Sequence, residues 1–161
     1  MRASETAELV FDNCRIHKDN LLGEPGEGFI QSLKILDGGR ISIGALSLGI
    51  SKGAYEAALK YAKERVQFGR PIGSFQAYKH RLADMMIEIE QARSAVYWAA
   101  CAADEQASDL QLALHAAKAF AADTHAKCAG DMIHLHGGIG FTWEHDAHLF
   151  FKRARAIQSM L

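Results

Sequence analysis

The sequence predicts an all-α helical bundle led by one strand and a connector rich in glycine. Three observations carry that reading. Apolar residues recur every three or four positions through most of residues 29–156. Nearly half the residues are apolar and only two are proline, which favours a packed core over disorder. Strand-like alternation is confined to residues 6–16.

With 161 residues, 49% of them hydrophobic, the chain is one domain in size, with room for a fragment of a second and for a sizeable core. A net charge of −1 gives no global electrostatic reason to bind nucleic acid or an acidic membrane. Cys14, Cys101 and Cys128 are odd in number and lack C-x-x-C spacing, which fits ordinary thiols in a reducing compartment. The first residues lack the apolar centre of a signal peptide. No apolar run reaches the roughly 18 residues of a membrane span. The expectation is a soluble, cytoplasmic chain.

In residues 6–16, Ala7, Leu9, Phe11 and Cys14 lie roughly on one face, against polar Glu8, Asp12 and Asn13. One strand cannot make a sheet, so this stretch either docks on the helices that follow or is the last strand of a preceding domain, and the second reading is favoured. Residues 17–28 follow as a connector, with Gly23, Pro25, Gly26 and Gly28. A helical pattern then covers residues 29–67, with Gly38-Gly39 expected to kink or divide it. Ala45, Gly49 and Gly53 would form a flat face for close helix approach, continued by Tyr55, Leu59, Ala62 and Val66. The second helix, about 75–103, carries Leu82, Met85, Ile89, Ala92, Val96, Ala99 and Ala103 at bundle-core spacing. The third starts at Ser108, where Ser-Asp-Leu-Gln has the form of a capping box. Its stripe is Leu110, Leu114, Ala117, Ala121, Cys128, Met132 and Leu135. A shorter helix with a basic end, about 144–156, closes the chain.

Two stretches invite chemistry. His134-Leu135-His136-Gly137-Gly138-Ile139-Gly140-Phe141-Thr142 breaks the third helix with three glycines, either as a plain C-cap or as bare backbone offered to a ligand. It lacks the preceding strand and spacing of a dinucleotide phosphate loop. Glu64-Arg65-Val66-Gln67-Phe68-Gly69-Arg70-Pro71-Ile72 ends the first helix. Basic residues are favoured there by the helix dipole alone. Yet arginine suits a pyrophosphate through its planar fork, and Phe68 offers a stacking ring, so a phosphorylated aromatic cofactor is the alternative. Eight histidines raise a metal site. Bundle di-metal centres use Glu-x-x-His, however, and Asp131-x-x-His134 is the nearest approach, so no metal is expected.

Taken together, these stretches resemble the acyl-CoA dehydrogenase family. The resemblance is carried by Leu36-Asp37-Gly38-Gly39-Arg40, by Tyr61 through Ile72, by Phe75-Gln76 through Met85, and by His136 through Thr142, in colinear order. Leu9 through Ile16 and Asn20-Leu21-Leu22-Gly23 match the end of that family's middle β domain. The resemblance implies a four-helix up-down bundle over residues 29–161, with residues 1–28 as the final strand and connector of the middle domain. It implies FAD as cofactor, an acyl-CoA substrate, an electron-transfer flavoprotein or similar acceptor, and a homo-oligomer (dimer or tetramer) or heteromer. Arg65 would contact the FAD pyrophosphate of a neighbouring subunit, Gln67 would add a hydrogen bond, and Phe68 would pack near the adenine. Gly137 and Gly138 would let backbone approach the same FAD, and His134 stands where many relatives carry glutamine. Asp37 and Arg40 match positions near the acyl-CoA path.

The implied reaction is α,β-dehydrogenation of an acyl-CoA thioester, with a glutamate removing the α-proton. At the two usual positions of that base this chain carries Leu161 and Gly39. Neither accepts a proton, so no catalytic base is assigned. The acid would stand just past residue 161, come from other domains, or be absent because the chain is the non-catalytic flavin-binding subunit of a heteromeric dehydrogenase. A structural helical bundle for protein interaction is the remaining alternative.

Overall fold

A computed structural model describes residues 7–160. Four helices dominate it: α1 Gly28–Glu64, α2 Gln76–Asp104, α3 Leu110–His136 and α4 Ala147–Gln158. α3 packs against each of the other three, and α1 also meets α2 and α4. The all-α bundle is as expected. Met85, Ile89 and Met132 form its fully buried centre with a set of alanines, and Leu114 and Ile157 are also fully buried.

The leading strand does not form. Residues 7–16 take no ladder among the described residues, and all of residues 7–30 are exposed. Extended backbone needs a neighbour to satisfy its N–H and C=O groups, and none is provided here. Sheet structure appears instead in a hairpin after α1, where β1 Val66–Gln67 pairs antiparallel with β2 Arg70–Pro71.

α1 runs through Gly38-Gly39 without a break. An Asp37–Arg40 ion pair at 2.5 Å brackets the two glycines, and the Gln111 amide of α3 donates to Asp37 at 3.2 Å. These contacts hold a turn whose glycines each cost about 1 kcal/mol in helix propensity. The expected capping box is absent because the helix starts later than read, with Asp109 rather than Ser108 at the N-cap position. α3 starts at Leu110 with no side-chain cap, and the Gln111 side chain reaches across the bundle to Asp37.

The buried face of α1 lies one residue away from the Ala45–Gly49–Gly53 row. Gly44, Ser47, Ser51, Ala54, Ala58 and Ala62 are buried, whereas Ala45 and Gly49 are exposed. Two hydroxyls in the interface are tolerated because each donates to the carbonyl four residues back, Ser47 to Ile43 at 2.8 Å and Ser51 to Ser47 at 2.7 Å. Gly44 gives close approach there, since a Cβ would sit a tight 3.3 Å from the Val96 side chain. Gly53 faces α4, with Phe150 at 3.3 Å from the same hypothetical atom. On α2 the stripe holds from Leu82 to Ala99 and then passes to Ala102 in place of Ala103.

No helix among the described residues is long and apolar enough to cross a membrane. The three cysteines are free, and burial pushes the Cys128 thiol up to about 12.

Candidate functional site

α1 ends where Arg65 turns extended, and its N–H still bonds the Tyr61 carbonyl at 2.9 Å. The chain then makes a tight hairpin with Phe68 (φ 54°) and Gly69 (φ 76°) at its tip. Two left-handed residues in succession match the right-handed strand twist. Glycine takes this at no cost, but Phe68 carries about 1 kcal/mol of strain. Its ring is 91% exposed, with only an edge contact to Phe75. Arg70 lies over the Phe75 ring at 4.1 Å, which ties the second hairpin strand to the start of α2. Gly73 lets the following turn close onto α1, as a Cβ there would come 2.8 Å from the Ala62 carbonyl oxygen.

The other wall comes from the end of α3. Gly137 stops the helix at φ 64°, ψ −140°, a conformation open to glycine, and its N–H bonds the Ile133 and His134 carbonyls. Gly140 is packed tightly, with a hypothetical Cβ 2.8 Å from the Ile133 carbonyl oxygen and 3.0 Å from the His136 Cβ. Gly138 differs from both: its φ is ordinary and nothing lies within 4 Å of where a Cβ would be.

Between these walls is a cleft of about 400 Å³, lined by Tyr61, Arg65, Gln67, His136, Gly138 and Ile139 among others. Three of the residues singled out in the sequence, Arg65, Gln67 and Gly138, therefore share one cavity. Arg65 makes no ion pair among the described residues, so its guanidinium is available to an anion. Phe68 projects from the hairpin tip and does not line the cleft. His134 also stands apart, exposed on the outer side of α3. Asp37 and Arg40 are elsewhere on α1. Twenty-five residues at 1.5 Å each place Arg40 about 37 Å from Arg65 along the axis. Arg40 lines a second cleft, of about 340 Å³, with His115 and Lys118.

The sequence reading missed Tyr61 and His136 as cleft residues. Tyr61 stands one turn before Arg65 on the same face, which was a usable signal. The His136 ring stacks on Tyr61 at 4.5 Å and lies 4.3 Å from His145. It is 4% exposed, and burial pulls its pKa below the ordinary value, with the neighbouring His145 adding to the effect. Asp131, the carboxylate nearest to a metal motif, is held by Arg81 at 2.5 Å. No group of three His, Cys, Asp or Glu among the described residues is placed to hold a metal ion.

The acyl-CoA dehydrogenase C-terminal domain profile matches residues 26–160. This chain belongs to the acyl-CoA dehydrogenase family. It is 42% identical to the probable acyl-CoA dehydrogenase FadE25 of Mycobacterium tuberculosis over 158 residues, 98% of this chain and 41% of that protein. Its fold matches butyryl-CoA dehydrogenase from Megasphaera elsdenii with TM-score 0.88 and 37% identity, over 92% of this chain and 39% of that one. It also matches a chain of the ChsE4–ChsE5 complex from Mycobacterium tuberculosis, with TM-score 0.70 and 33% identity over 74% of this chain and 32% of that one. The chain thus spans about 41% of the length of the curated relatives it matches. In this acyl-CoA dehydrogenase bundle the glycines divide by role: Gly137 and Gly140 serve the fold, and Gly138 faces the cleft.

That division yields a first prediction. Gly140→Ala is expected to cost about 2 kcal/mol of stability, because the new methyl meets a backbone oxygen that has no room to move. Gly138→Ala is expected to leave stability within about 0.5 kcal/mol. Urea unfolding of the two variants measures the contrast, and equal midpoints would contradict it.

Proposed function

We propose that this chain is the helical-bundle part of an FAD-dependent acyl-CoA dehydrogenase that forms the α,β double bond of an acyl-CoA thioester. In this reading its Arg65 cleft completes the FAD site of a neighbouring subunit. The observation that carries it is the convergence of Arg65, Gln67 and bare Gly138 in one cleft, far along α1 from Asp37 and Arg40. Within one chain these two parts of α1, about 37 Å apart along the axis, cannot flank one reaction centre. A cofactor shared between subunits gives both parts a role.

The cleft residues fit the group. An unpaired guanidinium suits a pyrophosphate, and the empty space over Gly138 admits close approach to its backbone. Arg65 would hold the diphosphate, Gln67 would add a hydrogen bond, and Phe68 would reach the adenine end from the hairpin tip. Gly137 would present backbone beside Gly138. His134 is the weakest member of the set, being exposed away from the cleft. Asp37 and Arg40 would lie toward the thioester. Bound FAD would supply the hydride acceptor for the β-hydrogen. An electron-transfer flavoprotein or similar acceptor would then take the electrons. Residues 1–28 belong, in this reading, to the preceding β domain, which is consistent with the exposure of Leu9, Val10 and Phe11.

No proton acceptor stands at the base positions. Gly39 is a turn of α1 without a side chain, and Leu161 lies outside the described residues. These two residues favour a second reading, a flavin-binding subunit whose partner supplies the base. The likeness to one chain of a two-component complex adds support.

The test is anaerobic addition of acyl-CoA esters of several chain lengths to the full-length parent. Bleaching of the flavin absorbance by the parent alone supports the complete enzyme. Bleaching only after co-expression with a paralogue that carries the glutamate supports the silent subunit. A flavin that no acyl-CoA reduces in either preparation contradicts both.

A further inference from the structure

A groove of about 500 Å³ between α1 and α2 is larger than either cleft described above, and it shares no lining residue with the Arg65 cleft. Its floor is apolar, made by buried Ala62 and Leu82 with Ala83 beside them. Leu59 and Tyr55 continue that surface along α1. Tyr55 and Lys63 are two turns apart, which makes this wall about 12 Å long. The volume falls within the range of small-molecule sites.

Charge enters the groove at one end. Lys63 stands in the last turn of α1 and Lys79 in the first turn of α2, both beside the connecting hairpin. Their methylene stems line the apolar wall, as long cationic side chains do. Neither makes an ion pair among the described residues, and Glu64, the acid next to Lys63, does not line the groove. The dipole of α1 accounts for Lys63. It does not account for Lys79, since a helix start favours an anion and the first turn of α2 carries no acidic residue. An apolar trough with two unpaired ammoniums at one end complements a single aliphatic chain with an anionic head.

We propose that this groove binds a fatty acid, its carboxylate between Lys63 and Lys79 and its chain along Leu82 and Ala83 toward Tyr55. The site is separate from the Arg65 cleft and does not rest on the FAD reading.

The experiment is displacement of a fluorescent fatty acid, dansylaminoundecanoate, from the full-length parent by hexanoate, octanoate, decanoate and decanol. Each added methylene is expected to tighten binding about twofold, less than the fourfold of complete burial because the groove is open on one side. Decanoate should bind about fivefold tighter than decanol, since exposed ion pairs are individually weak. The double variant Lys63→Gln, Lys79→Gln should abolish that difference. Ala83→Leu, at an exposed position of α2, fills the trough and should weaken both ligands about tenfold. Decanol binding as tightly as decanoate to the wild type overturns the proposal. So does a decanoate affinity that neither substitution changes, which places the fatty acid at another site of the parent. Absence of saturable binding overturns it as well. The chain-length and alcohol comparisons use the wild type alone, so they decide the matter even if Ala83→Leu folds poorly.

Discussion

Arg65→Ala in the full-length parent is expected to weaken FAD binding about 100-fold, since two charge-assisted hydrogen bonds to a diphosphate contribute about 3 kcal/mol. One tenfold step corresponds to about 1.4 kcal/mol. Stability should hardly change, because the Arg65 side chain is exposed and forms no ion pair among the described residues. Arg65→Lys should recover part of the affinity, as a point charge replaces the planar fork. Raising salt should narrow the gap between wild type and Ala, because the contact is electrostatic. Fluorescence titration of the flavin-free protein reads all three. Equal affinity for wild type and Ala would favour the bundle as a structural interaction domain.

The second large effect concerns His125, far from any site role. It is fully buried on α3, and neither ring nitrogen has a hydrogen-bond partner of normal geometry. Burial pulls its pKa down to about 4, Arg153 adds repulsion, and the Phe150 backbone offsets this only in part. The folded chain thus holds a neutral imidazole, whereas the unfolded chain binds a proton below its ordinary pKa of 6.5. As pH falls through that window the unfolded state gains protons and stability drops. The loss from this residue alone is about 2 kcal/mol at pH 5 and about 3 kcal/mol at pH 4. Above pH 7 it contributes no slope. Urea unfolding between pH 7 and 5 should show the drop in the wild-type chain and a smaller one in His125→Gln. Parallel profiles would contradict the assignment.

Much of this was legible in the sequence because helices advertise themselves by spacing. The α2 stripe from Leu82 to Ala99 and the α3 stripe from Leu114 to Leu135 are buried as read. α1 was harder. Its contact face is built from Gly44, Ser47, Ser51 and alanines, and hydropathy does not mark serines that bond back to their own helix. The capping box failed on register, since α3 takes Asp109 and not Ser108 as its N-cap residue. The hairpin of Val66 to Pro71 is too short to alternate, and it places a phenylalanine where asparagine is usual. Arg65 and the glycine turn were both found in sequence, but only the fold brings them to one cleft. The role of His136 was not legible in sequence, because its lowered pKa comes from burial and its ring orientation from the Met132 carbonyl and the Tyr61 ring.

The most direct measurement is the flavin content of the purified full-length parent after incubation with excess FAD. One FAD per chain, released in parallel with loss of subunit association, is the predicted result. A folded, assembled parent that retains no flavin would contradict the account.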